Sequence, residues 1–472
     1  MVENKVRNKI LLVQAPPWGS YAPPLGIAYL VTFLKSHGFN SEIYDLNMDI
    51  FLNSPKEIRE KWDTQDFEFW ASGKAVDNLY CQMERLADKM LSFDAGIIGF
   101  SATFASVPFL NKLLPILRKK ADGNGLTIII GGGGVSYREG RSLFKKDLID
   151  YFVTGEGECP LLCLLKDAQS GKIVPSDSNC VVWKDYPEDH TVCLKAARPD
   201  LINIDDISFP TFEEFDIEAY TQGDLMPLIS SRGCIRRCTF CCDSPLKKPY
   251  RVRNPENVAR EIKYHVQRYN RKRFEFCDLL INGNLEFLDK LCTRLIDMDL
   301  GVAWGGQATV RKDMGSALLG KMKKAGCGGL TFGIESFSDK VLKLTSKGVT
   351  VQDAKDTLVK VKEAGMRVEI NLIVGFPGET EEDVVETIDF IRQNSTLIDK
   401  VNSLNICTIG PGMYVYDHLE EYNIDRSMIH DWYAWFTKDM SNTIQVRTER
   451  HKKMLSVFSE LNLIPAWQNV KR

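Results

Sequence analysis

Short apolar runs alternate with amphipathic stretches of helical period along most of this chain, and that alternation limits the fold more than any other feature. Over residues 1–169 the strand-like runs are "KILLVQAPP", "NSEIYDLN", "AGIIGFSATF", "LTIIIGGGG" and "DYFVTGEGE", separated by helical segments such as "PLGIAYLVTFLKSHG" and closed by "CPLLCLLKDAQSG". Apolar strands joined by helices imply a mostly parallel, doubly wound sheet covered on both faces. The alternation restarts over residues 221–411 with "DLMPLISSRG", "RFEFCDLLING", "GVAWGGQA", "GGLTFGIES", "RVEINLIVGFPGE" and "KVNSLNICTIGPG". Such a run of β/α repeats is what a full or partial barrel requires. Residues 170–220, with "NCVVWKD", "HTVCLKAA" and the polar "DISFPTFEEFD", read as a connector, and the charged residues 412–472 as a helical C-terminal cap. The expected class is α/β: a doubly wound (Rossmann-like) domain, then a partial β/α (TIM-like) barrel.

Composition narrows the function. With 60 basic and 63 acidic side chains and a net charge of −3, the chain has no broad footprint for nucleic acid or anionic lipid. No apolar stretch approaches the roughly 20 residues of a membrane span, and the first strand begins with no signal-peptide pattern ahead of it. A cytoplasmic location is expected. Thirteen cysteines scattered through 472 residues fit reduced thiols better than a disulfide scaffold.

Three of those cysteines are not scattered. "RGCIRRCTFC" places Cys234, Cys238 and Cys241 in C-x3-C-x2-C spacing after the first barrel strand, an arrangement whose chance frequency is on the order of 0.01. A structural zinc site wants four ligands, and no second C-x2-C or histidine hook is present. Three thiolates suit a [4Fe–4S] cluster that keeps one iron open for a small chelating molecule. Zinc is disfavoured on these grounds, not eliminated. Cys242 reads as a bystander, since its side chain should point away from that of its neighbour.

These residues resemble the radical S-adenosylmethionine (radical SAM) family, whose hallmark is this cysteine spacing at this place in the barrel. The resemblance implies that Cys234, Cys238 and Cys241 are the catalytic cluster ligands. The open iron then chelates S-adenosylmethionine, and reductive cleavage gives a 5′-deoxyadenosyl radical that abstracts hydrogen. Phe240 matches the aromatic expected beside the adenine. Asp278 and Asn282 in "CDLLINGN" are the implied contacts to the methionine amino group, and Glu335 and Ser336 in "GIES" those to ribose and carboxylate. Gly375, Pro377, Gly378 and Glu379 in "NLIVGFPGET" match the adenine-side turn, and "GPGMYVYD" a turn near the substrate mouth.

A doubly wound domain ahead of such a barrel resembles the cobalamin-binding class of the family, which includes methyltransferases and anaerobic magnesium-protoporphyrin cyclases. In doubly wound sheets ligands sit beyond the carboxyl ends of the strands. The implied contacts to cobalamin are therefore Ser101 in "GFSATF", Gly131, Gly132 and Gly133 in "GGGGVS", and Glu156 in "TGEGE". The four glycines, 131 to 134, would let backbone approach a large ligand, although the G-x-G-x-x-G dinucleotide fingerprint is missing. The Asp-x-His-x-x-Gly motif that supplies a histidine to cobalt is also absent, which implies a cobalt without a protein histidine. Cobalamin-dependent methylation of an unactivated carbon is the expected activity. Radical cyclisation or oxidation is the alternative, and a non-catalytic iron–sulfur carrier a third class.

The basic residues Arg232, Arg236, Arg237, Lys247, Lys248, Arg251 and Arg253 form a solvated face or a dock for an acidic flavodoxin- or ferredoxin-type electron donor. Trp62 and Trp70 are either core or a cover for the corrin. Trp304, Gln307, Arg311, Tyr414 and Tyr416 are candidate substrate contacts, with a peptide, a lipid and a tetrapyrrole all compatible.

Overall fold

The computed structural model describes residues 9–62, 69–70, 73–121, 125–169, 181–183, 202–243 and 249–463. The chain divides into two compact units, Met1–Gly223 and Asp224–Arg472.

The first unit is built on strands β1 (Lys9–Gln14), β2 (Asn40–Tyr44), β3 (Ile97–Ser101), β4 (Thr127–Gly131), β5 (Tyr151–Val153) and β6 (Val181–Trp183) in the order β2-β1-β3-β4-β5-β6. The first five pair in parallel, and β6 runs antiparallel to β5. The chain reverses its direction of winding between β1 and β3, so their carboxyl ends open a crevice. Helix α1 (Leu25–Ser36) packs against the last helix of the sheet, Glu158–Gln169, while Met83–Leu91 packs against Val107–Lys120, giving a helical layer on each face. That double cover is why β1 is buried at every position after Lys9 and why Ile128, Ile129 and Ile130 run consecutively in β4.

Part of the expected connector is stitched onto this sheet. Glu214 accepts the free edge N–H of Ile43 at 2.5 Å and pairs with Lys35, Thr32 accepts the Thr211 N–H at 3.0 Å, and Tyr220 donates to the partly buried Asp45. These contacts cover the β2 edge, which would otherwise present unpaired backbone groups. The strand candidate "HTVCLKAA" lies outside the described residues. Trp62 and Trp70 are core: both are buried, their rings meet edge-to-face at 5.0 Å, and Trp62 donates to Asn47 Oδ1 at 2.8 Å.

The second unit carries β7 (Leu225–Leu228), β8 (Ser231–Arg232), β9 (Arg251–Val252), β10 (Arg273–Phe276), β11 (Ala303–Ala308), β12 (Cys327–Glu335), β13 (Arg367–Val374) and β14 (Lys400–Ile406). Six of them form a sheet in the order β14-β13-β12-β11-β10-β7, parallel throughout, with β7 and β14 left as edges. This is a partial barrel. β8 and β9 form a separate antiparallel ribbon. Along β10 to β13 the buried positions Phe274, Phe276, Trp304, Phe332, Ile370 and Leu372 alternate with the less buried Glu275, Gly305, Gln307, Thr331, Glu369 and Asn371, so one face is apolar under helices and the other polar.

The C-terminal region is helical: residues 412–443 hold short helical turns, and the long helix α2 (Ile444–Glu460) packs against β13, β14 and the helix Glu381–Gln393 in the outer layer. Met454, Val457 and Phe458 are the apolar stripe that buries it there.

The core assignment of Trp62 predicts that Trp62→Ala destabilises the first unit by about 3–5 kcal/mol. Urea unfolding followed in that unit checks it; an unchanged midpoint would return Trp62 to a ligand-covering role.

Candidate active site

The cysteine loop is strung between two buried charges. Where β7 ends, the Asp278 carboxylate accepts the Ser230 N–H at 2.9 Å, the Ser230 hydroxyl at 2.7 Å and the Ser231 hydroxyl at 2.5 Å. Burial pushes this carboxyl up to about 6 against the pull of those donors. Where the loop returns through β9, Arg253 donates to Ile229 O at 2.8 Å and pairs with the fully buried Glu261 at 2.5 Å. Burial opposes ionisation of Glu261, yet Arg253 and the adjacent His265 outweigh it and hold the carboxyl below its usual range.

Within the loop the Arg236 N–H donates to Cys234 Sγ at 3.3 Å, and Cys241 N–H to Cys238 O at 3.2 Å. The Arg236 guanidinium ties the loop to neighbouring segments, reaching Thr309 Oγ1, Lys347 O and Val310 O. Cys238 is buried, while Cys234 and Cys241 are partly exposed. Burial raises the Cys234 and Cys238 thiols, and the cationic Lys347 and Arg236 oppose it. Three thiols on one loop, an N–H directed at sulfur and flanking cations fit an iron–sulfur cluster in number and chemistry. Among the described residues no group of three or more His, Cys, Asp or Glu side chains is placed to hold a metal ion, so the sulfurs do not converge by themselves. Cys242 packs against the apolar cluster of Phe376 and Trp435, where burial pushes its thiol up to about 11.

Several of the expected strand-end residues are engaged by protein partners. Asp278 accepts three hydrogen bonds from Ser230 and Ser231 and so supports the loop. Asn282 is fully buried and binds both Thr309 N (3.0 Å) and Thr309 O (2.8 Å), tying two strand-end loops together. Ser336 lies 3.1 Å from the Thr387 hydroxyl and accepts the Ser338 N–H, turned toward the outer helices. Trp304 is buried with its indole on Ala325 O, and Arg311 is held by Gly283 O and Asp313.

Glu335, in contrast, stands at the site in a left-handed conformation, φ +74°, where the β12–β13 register shifts. Such a backbone is costly for a side chain other than glycine and persists only where its surroundings enforce it. Its partner was not foreseen: Lys347 Nζ pairs with Glu335 at 2.8 Å, both being buried, and lies 5.9 Å from the Phe240 ring centroid. Phe240 also packs on the Phe376 cluster. Gly375 (φ +83°) and Pro377 are buried in the turn after β13. On the polar face Glu275 is pushed up to about 7, by burial first and then by Glu369. Gln307 is exposed there. Tyr414 is exposed and stacked on His418 at 3.8 Å, and Arg426 lies over the Tyr416 ring. Lys247 and Lys248 lie outside the described residues.

In the first unit the glycine run serves packing as much as access. A Cβ on Gly132 would sit 2.7 Å from Ala102 O, and one on Gly134 2.7 Å from the Thr103 backbone, so these two glycines let the loops after β3 and β4 lie against each other. Gly131 is in ordinary contact, and only Gly133 meets nothing within 4 Å. Open backbone at Gly133, beside Ser101 at the end of β3 and the partly exposed Glu156, fits a large ligand on this carboxyl edge. His37 closes α1 at the opposite, amino edge, with Nδ1 2.8 Å from Phe33 O, so it is not placed to bind a metal over the carboxyl ends.

Comparison with known proteins agrees with both halves. The Radical SAM superfamily profile matches residues 228–391, and the B12 binding domain profile matches residues 17–164. An uncharacterized methyltransferase of Pyrococcus horikoshii is 26% identical over 91% of this chain and 87% of its own length. The anaerobic magnesium-protoporphyrin IX monomethyl ester cyclase of Rubrivivax gelatinosus is 25% identical over 78% of this chain, which spans 62% of that protein. In fold, the chain resembles the radical S-adenosylmethionine methyltransferase TsrM from Kitasatospora setae, solved with cobalamin and a [4Fe–4S] cluster, at TM-score 0.65, 17% identity, and coverage of 93% of this chain and 84% of that one. The cysteine loop, the partial barrel and the doubly wound unit ahead of it thus have one common explanation: the chain belongs to the radical SAM superfamily, in the class that carries a B12-binding domain.

Proposed function

We propose that this chain is a cobalamin-dependent radical SAM methyltransferase acting on an unactivated carbon. The observation that carries the reading is the pairing, in one chain, of the cysteine loop at the carboxyl edge of the barrel with a B12-type sheet whose Gly133 edge is open. When bound, the cluster supplies the electron that cleaves S-adenosylmethionine and cobalamin supplies the methyl group. The protein's own part is to hold and orient. Cys234, Cys238 and Cys241 hold the cluster, and Arg236 and Lys347 lend positive charge around the thiolates. Glu335 and the Gly375–Glu379 turn hold S-adenosylmethionine. The polar barrel face, with Gln307 and the facing carboxylates Glu275 and Glu369, receives the substrate. A hydrogen-bonding substrate suits that face better than a lipid chain.

The electron donor is proposed to be an acidic flavodoxin- or ferredoxin-type protein. A cavity of about 990 Å³ lies against the loop, lined by Cys238 and Cys241 together with Arg237, Lys340, Lys343, Asp417 and Glu421. Among the described residues Arg237 is the exposed member of the loop's basic run, whereas Arg236 and Arg253 are committed internally. All the described cysteines are free thiols, which suits a reducing compartment such as the cytoplasm; no helix among the described residues is long and apolar enough to cross a membrane.

Replacing Cys234, Cys238 or Cys241 with alanine is expected to abolish S-adenosylmethionine cleavage, while Cys242→Ala retains it; chromatographic assay of 5′-deoxyadenosine reads this directly. Retained cleavage in any cluster-ligand variant would remove the assignment of that cysteine. With substrate present, methylation forms 5′-deoxyadenosine and S-adenosylhomocysteine together, the second from restoring the methyl donor. The cyclase-like alternative forms 5′-deoxyadenosine alone, and product analysis after anaerobic turnover separates the two.

A further inference from the structure

The turn that follows β13 does not support itself. Gly375 needs its positive φ, and a Cβ there would lie 2.3 Å from Arg447 Cγ, so a side chain of α2 fills the space behind it. Asn442 Nδ2 donates to Gly375 O at 3.0 Å and to Phe376 O at 3.2 Å, while its Oδ1 accepts from Arg447 at 3.1 Å. Glu379 closes the turn by accepting the Gly375 N–H at 2.6 Å, and Arg450 donates to both the Glu379 carbonyl (3.0 Å) and its carboxylate (3.3 Å). All four side chains are buried. Three backbone carbonyls and a buried carboxylate are therefore held by directional bonds from a segment about seventy residues further along. Apolar packing would hold a strand end with less desolvation. Hydrogen bonds to its carbonyls fix position as well as contact.

We propose that Asn442, Arg447 and Arg450 are positioning residues for S-adenosylmethionine, setting the placement of the Gly375–Glu379 turn. The inference rests on reading that turn as the adenosyl-binding one. It makes the C-terminal segment a working part of the site. Glu379 also supplies a pH readout. Burial pushes its carboxyl up to about 7 against the Gly375 N–H and Arg450, with Asp383 of the neighbouring helix opposing ionisation and Cys407 at the end of β14 also within range. At pH 8 the ionised carboxylate pairs with Arg450; toward pH 6 it takes a proton and the pair weakens.

The test measures kcat and KM for reductive 5′-deoxyadenosine formation, with iron content and thermal midpoint, in the anaerobically reconstituted full chain. Arg450→Gln is expected to raise KM for S-adenosylmethionine about tenfold with kcat within about twofold and iron unchanged, and Arg450→Lys to recover part of the loss. Asn442→Ala, a milder change, is expected to move KM in the same direction. Wild-type KM should rise from pH 8 to pH 6, and Glu379→Gln should flatten that rise. Unchanged KM in both Arg450→Gln and Asn442→Ala would overturn the proposal, as would KM, kcat and iron content deteriorating together and in step with the thermal midpoint. A wild type unable to cleave S-adenosylmethionine would instead remove the reading of the turn on which the proposal stands.

Discussion

The Asp278 carboxylate, 3% exposed and accepting from Ser230 and Ser231, is the contact on which the rest of the site depends. A buried carboxylate is costly unless its lone pairs are met, and here three donors from the end of the first barrel strand meet them. The bonds run both ways in their effect: they make burial of the charge tolerable, and they fix where the strand becomes the cysteine loop. The Arg253–Glu261 pair does the same for the returning chain. Between these anchors the loop is tied to the barrel by Arg236, which reaches Thr309, Lys347 and Val310, and by the Thr239 N–H, which donates to Thr345 O at 3.1 Å.

A related principle governs both carboxyl edges. Loops that leave neighbouring parallel strands compete for the same space, and the chain resolves the competition with glycine where backbone meets backbone or a buried side chain. Gly132 and Gly134 seat one loop on another in the first unit, and Gly375 admits Arg447 in the second. Within the glycine run after β4, Gly133 is the position where the missing side chain leaves open space.

Much of this was legible in the sequence, for a physical reason. Strands covered on two faces must be apolar in runs, as in "LTIIIG", strands with one polar face must alternate, as in "RVEINLIV", and helices over either must be amphipathic, so these elements announce themselves. The cysteine triplet is legible because ligand spacing is local. What escaped is orientation set by distant partners. Asp278 and Asn282 are polar and sit at a strand end, as ligand-binding residues do, but whether they face a ligand or a neighbouring loop is decided by Ser230 and Thr309 elsewhere in the chain. Lys347 was missed because it lies beyond a strand, a turn and a helix, and is brought back to Glu335 only by the fold. The last helix was recognised, but its place in the outer layer depends on the surface left free by β13 and β14.

The central claim is that one chain carries two redox-active cofactors, and their content after purification tests it most directly. Protein produced with cobalamin supplied and purified anaerobically should hold about four irons, matching sulfide and close to one cobalamin per chain. Iron without cobalamin under saturating supply would contradict the account: the first unit would then bind something else, and S-adenosylmethionine cleavage without methyl transfer would become the reading to pursue.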